Sequence, residues 1–193
     1  SFNGDDNLYV RLRTGSGDGT PFGQKTYGTF LSSDSSKYAN KLAVDKIWYT
    51  FPVSDKVTAT IGPKIENYYM HATTPSLYSP TLKQFTLGGN AAAYGASTNS
   101  GIGYAYEFDN GLAFSSNIVS KQNKSSTNDG NKGFLTKENE HSWATQVGYT
   151  KPQYSVSAIV NQKYNGWTDS YFTTSTGKAR GGDGSSTNIG LRA

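Results

Sequence analysis

The chain has 193 residues, only 34% of them hydrophobic but 13% aromatic, with 22 Gly, 14 Tyr and no Cys. With a mean hydropathy of −0.61, this composition excludes a dense aliphatic core, a disulfide framework, thiolate zinc sites and cysteine nucleophiles. Lys and Arg number 18 against 14 Asp and Glu, for a formal charge of +4, and they are scattered rather than clustered, which argues against nucleic acid as a partner.

No run approaches the ~18 apolar residues of a spanning helix, and no charged and apolar leader precedes Ser1, so the chain reads as a processed or trimmed segment. Its aromatic content and period-two stretches are the reverse of a disordered composition. In chain order, Leu8, Val10 and Leu12 alternate with Tyr9, Arg11 and Arg13. Ile47, Tyr49 and Phe51 alternate with Lys46, Trp48 and Thr50, and Val57, Ala59 and Ile61 with Thr58, Thr60 and Gly62. Ile102, Tyr104, Tyr106 and Phe108 share a face that resumes at Leu112, Phe114 and Ile118 after the turn Asp109-Asn110-Gly111. Trp143, Val147 and Tyr149, then Tyr154, Val156, Ala158 and Val160, then Ile189 and Leu191, repeat the rhythm. Such alternation predicts half-buried β-strands. No helical period of useful length occurs, and only Leu82 to Leu87 suggests one short turn.

Connections alternate in length. Long ones are expected at 14 to 41, 63 to 101, 120 to 141 and 161 to 186, and short ones at 52 to 56, 109 to 111 and 150 to 153. Segregation of short turns from long loops is the pattern of an outer-membrane barrel, with short turns toward the periplasm and long loops outside. About nine residues at ~3.3 Å rise and ~40° tilt reach roughly 23 Å, close to the ~25 Å apolar band of such barrels. Phe51, Phe108, Tyr149 and Tyr154 border the short turns, where an aromatic girdle belongs. The fold class expected is therefore all-β, a transmembrane antiparallel β-barrel, with about eight strands belonging to a larger one. A soluble antiparallel sandwich is the competing architecture.

If the apolar face meets lipid, the other lines a lumen: Arg11, Arg13, Lys46, Thr58, Thr60, Glu107, Ser115, Asn117, Gln146 and Arg192, together with Trp48, Ser155, Ser157, Asn161 and Asn188. Either the basic groups bias the pore toward anions, or carboxylates such as Glu66 and Asp45 neutralise them. The 63 to 101 stretch is too long for a passive connection; it either folds inward to narrow the channel or packs over the rim, and composition favours the rim. His71 and His141 lack ligand spacing, Asp45 and Glu107 lack a partner carboxylate, and residues 95 to 98 lack the G-x-S-x-G elbow, so no enzymatic reading, metal or cofactor is supported.

Asn7-Leu8-Tyr9-Val10-Arg11-Leu12-Arg13-Thr14-Gly15, Asp45-Lys46-Ile47-Trp48-Tyr49-Thr50-Phe51-Pro52-Val53, Ile61-Gly62-Pro63-Lys64, Leu82-Lys83-Gln84-Phe85, Gly133-Phe134-Leu135-Thr136-Lys137 and Tyr164-Asn165-Gly166-Trp167 resemble blocks of the cyanobacterial outer-membrane porins that carry a periplasmic S-layer-homology domain. The resemblance covers essentially all of residues 1–193. It implies a homotrimeric β-barrel in the cell outer membrane, in contact with outer-membrane lipid, passing inorganic ions and small solutes by passive diffusion and related in broad terms to carbohydrate-type porins. It also makes the long connection a constriction loop, with Lys64, Glu66, Tyr68, Tyr69 and Lys83 as its polar and aromatic residues. The S-layer-homology domain that would hold cell-wall glycan is not in this sequence, so the chain is expected to be an incomplete barrel segment. The alternative function is a soluble or secreted carbohydrate-binding β-module, in which Trp48, Trp143, Trp167 and loop tyrosines stack on sugars.

Overall fold

Period-two alternation becomes eight strands: β1 (Asn7–Arg13), β2 (Ala43–Ser54), β3 (Val57–Glu66), β4 (Thr98–Glu107), β5 (Leu112–Ser120), β6 (His141–Lys151), β7 (Tyr154–Tyr164) and β8 (Ser186–Arg192). The computed structural model describes residues 4–15, 38–73, 87, 89–95, 98–121, 134–136, 139–165, 167 and 185–193. The short turn expected at Leu82 to Leu87, apart from Leu87 itself, lies outside the described residues, as does Lys83. All eight strands form one antiparallel sheet in the order β1-β2-β3-β4-β5-β6-β7-β8. Each strand pairs only with its chain neighbours, and β1 and β8 are the two edges, so the sheet is open rather than closed into a barrel.

Short turns join β2 to β3, β4 to β5 and β6 to β7. In the middle one Gly111 has φ +93°, a left-handed backbone that an L side chain resists. A Cβ there would also strike the Thr150 carbonyl. The Asn110 side chain closes the turn by accepting the Leu112 N–H at 2.9 Å.

The sheet is inverted relative to a water-soluble one. Its aliphatic face stands uncovered: Val10 is 45% exposed, Ile102 47%, Val147 46% and Ile189 65%. On the other face Lys46, Ser115 and Asn161 are fully buried. A connection between β3 and β4 does the covering, through a 3-10 turn at Asn67–Met70 and a one-turn helix, α1, at Ala91–Tyr94. This connection is shorter at both ends than 63 to 101, because β3 continues to Glu66 and β4 begins at Thr98. The β1–β2 pairing jumps between Arg11 and Leu12, and the residue set aside on β2 is Asp45. No helix among the described residues is long and apolar enough to cross a membrane, which says nothing of strands.

Candidate functional site: the inner face and the segment folded over it

Apolar residues on an otherwise hydrophilic face hold the segment down at two places. At the first, Met70 packs with Trp48, Ile65, Val119 and Trp167. At the second, Ala93 and Tyr94 of α1 pack with Ala144 and Ile159. Glycines make room for both. A Cβ on Gly103 would lie 2.9 Å from the Met70 sulfur, one on Gly190 would lie 3.1 Å from the Ala93 methyl, and one on Gly148 would fall on the Thr73 hydroxyl. Side chains of the segment can approach the strand backbone this closely only where the strand residue has no side chain of its own.

Between the two contacts the segment is hydrogen-bonded to the strand floor. Ser115 Oγ accepts the Ala72 N–H at 3.0 Å. Gln146 accepts the Thr73 N–H at 3.0 Å and donates to the Thr73 carbonyl at 2.9 Å, a two-point match to the backbone of one residue. Asn161 donates to the Ala93 carbonyl at 3.0 Å. The two ends of the segment then meet at a single oxygen: Asn67 Nδ2 lies 3.1 Å and His71 Nε2 3.2 Å from the Tyr94 carbonyl. His71 Nδ1 faces the Asn117 amide nitrogen at 3.1 Å. Burial lowers the His71 pKa to about 4 against the opposing effect of the Tyr94 carbonyl, so the ring is neutral near pH 7.

The charged and aromatic residues gather beside β1 and β2. Tyr9 stacks on Trp48 at 4.1 Å, Trp48 lies 4.9 Å from Tyr69, and Tyr68 stacks on Tyr69 at 4.6 Å. Lys46 Nζ sits 4.9 Å from the Tyr69 centroid and is ion-paired to Glu66, which also accepts from the Tyr68 hydroxyl. Arg11 binds Asp45 through Nε at 2.7 Å and through a second guanidinium nitrogen, and Tyr38 donates to the same carboxylate at 2.9 Å. A charge buried away from water needs such a partner. Two of the basic groups expected on a lumen wall are thus neutralised by Asp45 and Glu66.

The remaining expected residues are placed as follows. Thr58, Ala105, Ser115 and Gln146 form one continuous cross-strand row, and Thr60, Gly103 and Asn117 the next. Glu107 and Arg192 share a third row toward the short turns, separated by the intervening strands. Arg13 and Arg11 follow one another on the inner side of β1, opposite Ala43 and Lys46. Glu66, Tyr68 and Tyr69 come together as described. Lys64 does not join them: it lies within β3 opposite Ile47, whose side chain belongs to the apolar face, and donates to the Val44 carbonyl at 2.9 Å. The three tryptophans form no common platform, since Trp48 and Trp167 are buried under the segment while Trp143 lies on the opposite face with its indole N–H on Ser116 Oγ at 2.9 Å.

Reading of the sequence missed Thr73 and Lys163, both buried on the inner face, and Asn139, buried against Ser120. It also gave His71 no role. One signal could have revealed the docking sites: Val119 and Ile159 are apolar residues at polar-face positions, both essentially unexposed. Among the described residues no three His, Asp or Glu side chains gather as a metal site. Comparison with protein-family models, with curated proteins and with solved structures finds no match, so none of them identifies a porin family.

Proposed function

We propose that this chain is part of an outer-membrane porin barrel, a water-filled channel for passive diffusion of inorganic ions and small hydrophilic solutes, of the kind its sequence blocks resemble. The observation that carries the reading is the inverted sheet: side chains such as Val10, Ile102 and Ile189 stand bare while Lys46, Ser115 and Asn161 are packed over. In water, bare apolar surface is unfavourable by about 25 cal/mol per Å²; lipid removes that penalty. Polar groups near the middle of the bare face satisfy one another, as lipid requires. Ser116 Oγ and Thr145 Oγ1 lie 3.1 Å apart, and Trp143 donates to the same Ser116.

Height and girdle support the same reading. The 11 residues of β7 begin at Tyr154 and end at Tyr164, both on the bare side, and at ~3.3 Å per residue and ~40° tilt they are separated by about 25 Å of height. Tyr149 lies beside Tyr154 at one level, and His141 stacks on Tyr164 at 4.6 Å at the other. An eight-stranded closed barrel is just filled by its own side chains, whereas this sheet carries residues 67–73 and 91–95 on its inner side, so the reading calls for further strands. It assigns no catalytic residue and no cofactor, and its partners are lipid, the permeating solutes and two further copies in a trimer. With Arg11 and Lys46 neutralised, ion selectivity is expected to be weak. Extraction and planar-bilayer conductance test the reading: detergent-dependent solubility and stepwise conductance are expected, whereas a detergent-free soluble protein with no conductance would refute it and favour the carbohydrate-binding module.

A further inference from the structure

His71 holds three pieces together. Tyr94 presents a carbonyl, which can only accept, so His71 Nε2 must carry the hydrogen of that 3.2 Å bond. Nδ1 is then the unprotonated nitrogen, accepting from the Asn117 amide at 3.1 Å. The ring therefore ties the start of the β3–β4 segment both to its end and to β5, but only while neutral. A proton on Nδ1 sets N–H against N–H and places a positive charge in a site that burial has already made hostile to it.

We propose that His71 is an acid-sensitive latch: protonation at Nδ1 breaks its bond with Asn117 and releases the start of the β3–β4 segment, residues 67–73, from the inner face. Among the described residues, the surroundings offer the imidazolium no counter-charge. Elements packed against it contribute the phenols of Tyr68, Tyr69 and Tyr94. Of the charged groups on those elements, Lys46 and Glu66 are paired with each other, and Glu107 lies beyond Gly103 toward the short turns, about 13 Å along β4. A flip of Asn117 would bring its oxygen to the new N–H; that oxygen has no hydrogen-bond partner in the present geometry. The flip would leave the amide nitrogen without its acceptor and the charge still unpaired. A cavity of about 100 Å³ lined by Thr50, Thr58, Thr60, Tyr69 and His71 gives water and protons a place beside the ring.

The latch concerns docking alone; any effect on conductance rests on the channel reading. Hydrogen exchange in the full chain, in detergent or vesicles and normalised to the intrinsic rate at each pH, reads docking directly through the Ala72 and Thr73 amides, whose acceptors are Ser115 and Gln146. With the imidazole moving from an ordinary 6.5 when released to about 4 when docked, protection of these amides is expected to fall about 30-fold between pH 7.5 and pH 5. The amides of β5 and β6 should keep theirs. His71→Gln, which can donate and accept but not titrate in this range, should abolish the acid step, and His141→Asn should retain it. Asn117→Asp should also abolish it by holding the imidazolium. An unchanged protection profile, an equal fall in His71→Gln, or loss of protection throughout the sheet would each overturn the latch. Conductance absent at every pH beside a normal His71-dependent exchange step would instead refute the channel reading and leave the latch standing.

Discussion

Replacing Val160 by Arg separates lipid from water as the medium of the bare face. Val160 is 41% exposed and stands between the Tyr154 and Tyr164 levels on β7, within the middle of the ~25 Å span. If that face is in water, a half-exposed valine replaced by arginine should change stability by no more than about 0.5 kcal/mol. If it is in hydrocarbon, the penalty near the midplane is about 2 to 4 kcal/mol, or roughly 30- to 1,000-fold in the folding equilibrium. Val53, 62% exposed at the short-turn end of β2, provides the control, since arginine at an interface costs about 0 to 1 kcal/mol. Urea titration of folding into lipid vesicles measures both, with intrinsic tryptophan fluorescence as readout. Equal tolerance of Val160→Arg and Val53→Arg, or folding of the wild-type chain without lipid, would refute the assignment of faces.

Gly148→Val should place a methyl group on the Thr73 hydroxyl and weaken segment docking by about 1 to 3 kcal/mol; the truncation Thr73→Gly in the same chain should recover part of that loss in a double-mutant cycle read by exchange at Ala72, and strict additivity would refute the contact. Asp45→Asn retains the shape around Arg11 but removes its counter-charge, so reversal potentials in a KCl gradient should shift toward Cl⁻, more at low salt than at high; no shift would mean that Arg11 does not face the conducting path. In intact cells a membrane-impermeant maleimide should label Leu135→Cys, on the long-loop side, and spare Asn110→Cys; the opposite pattern would reverse the orientation.

The strands and their faces were legible because period two is a local property: Leu8, Val10 and Leu12 could be assigned together without knowing what lay across from them. Three of the seven pairings are similarly local, since a short turn forces its two strands to pair, whereas the other four close across long connections. What covers the inner face was not legible. Thr73 meets Gln146 across a sequence gap that no periodicity spans, and the described residues of the segment hold only two short turns of helix. Lys64 misled because Gly62-Pro63 looks like a strand end, yet the sheet absorbs the pair in an irregularity between Gly62 and Ile65 and continues. Lys46 and Glu66 had been open to either interpretation, and only the fold brings them into a pair. His71 was invisible as a functional residue, since its partners Tyr94 and Asn117 are set by tertiary placement alone.

The sheet's strictly sequential strand order also bears on how such a chain can change in size. Where every strand neighbours only its predecessor and successor, a hairpin can in principle be duplicated or deleted without rethreading the rest, altering the circumference two strands at a time. The β3–β4 segment restricts that freedom. It leaves the sheet at β3 yet seats α1 on Ile159 of β7 and against Gly190 of β8. Loss of the β5–β6 hairpin would bring β7 and β8 about 10 Å nearer to β4, since adjacent strands are spaced by about 4.8 Å, and would remove Ser115, Asn117 and Gln146, to which the segment is bonded. Hairpins between β4 and β7 are therefore tied to the segment seated on them, and size variation is expected on the far sides of β3 and β8.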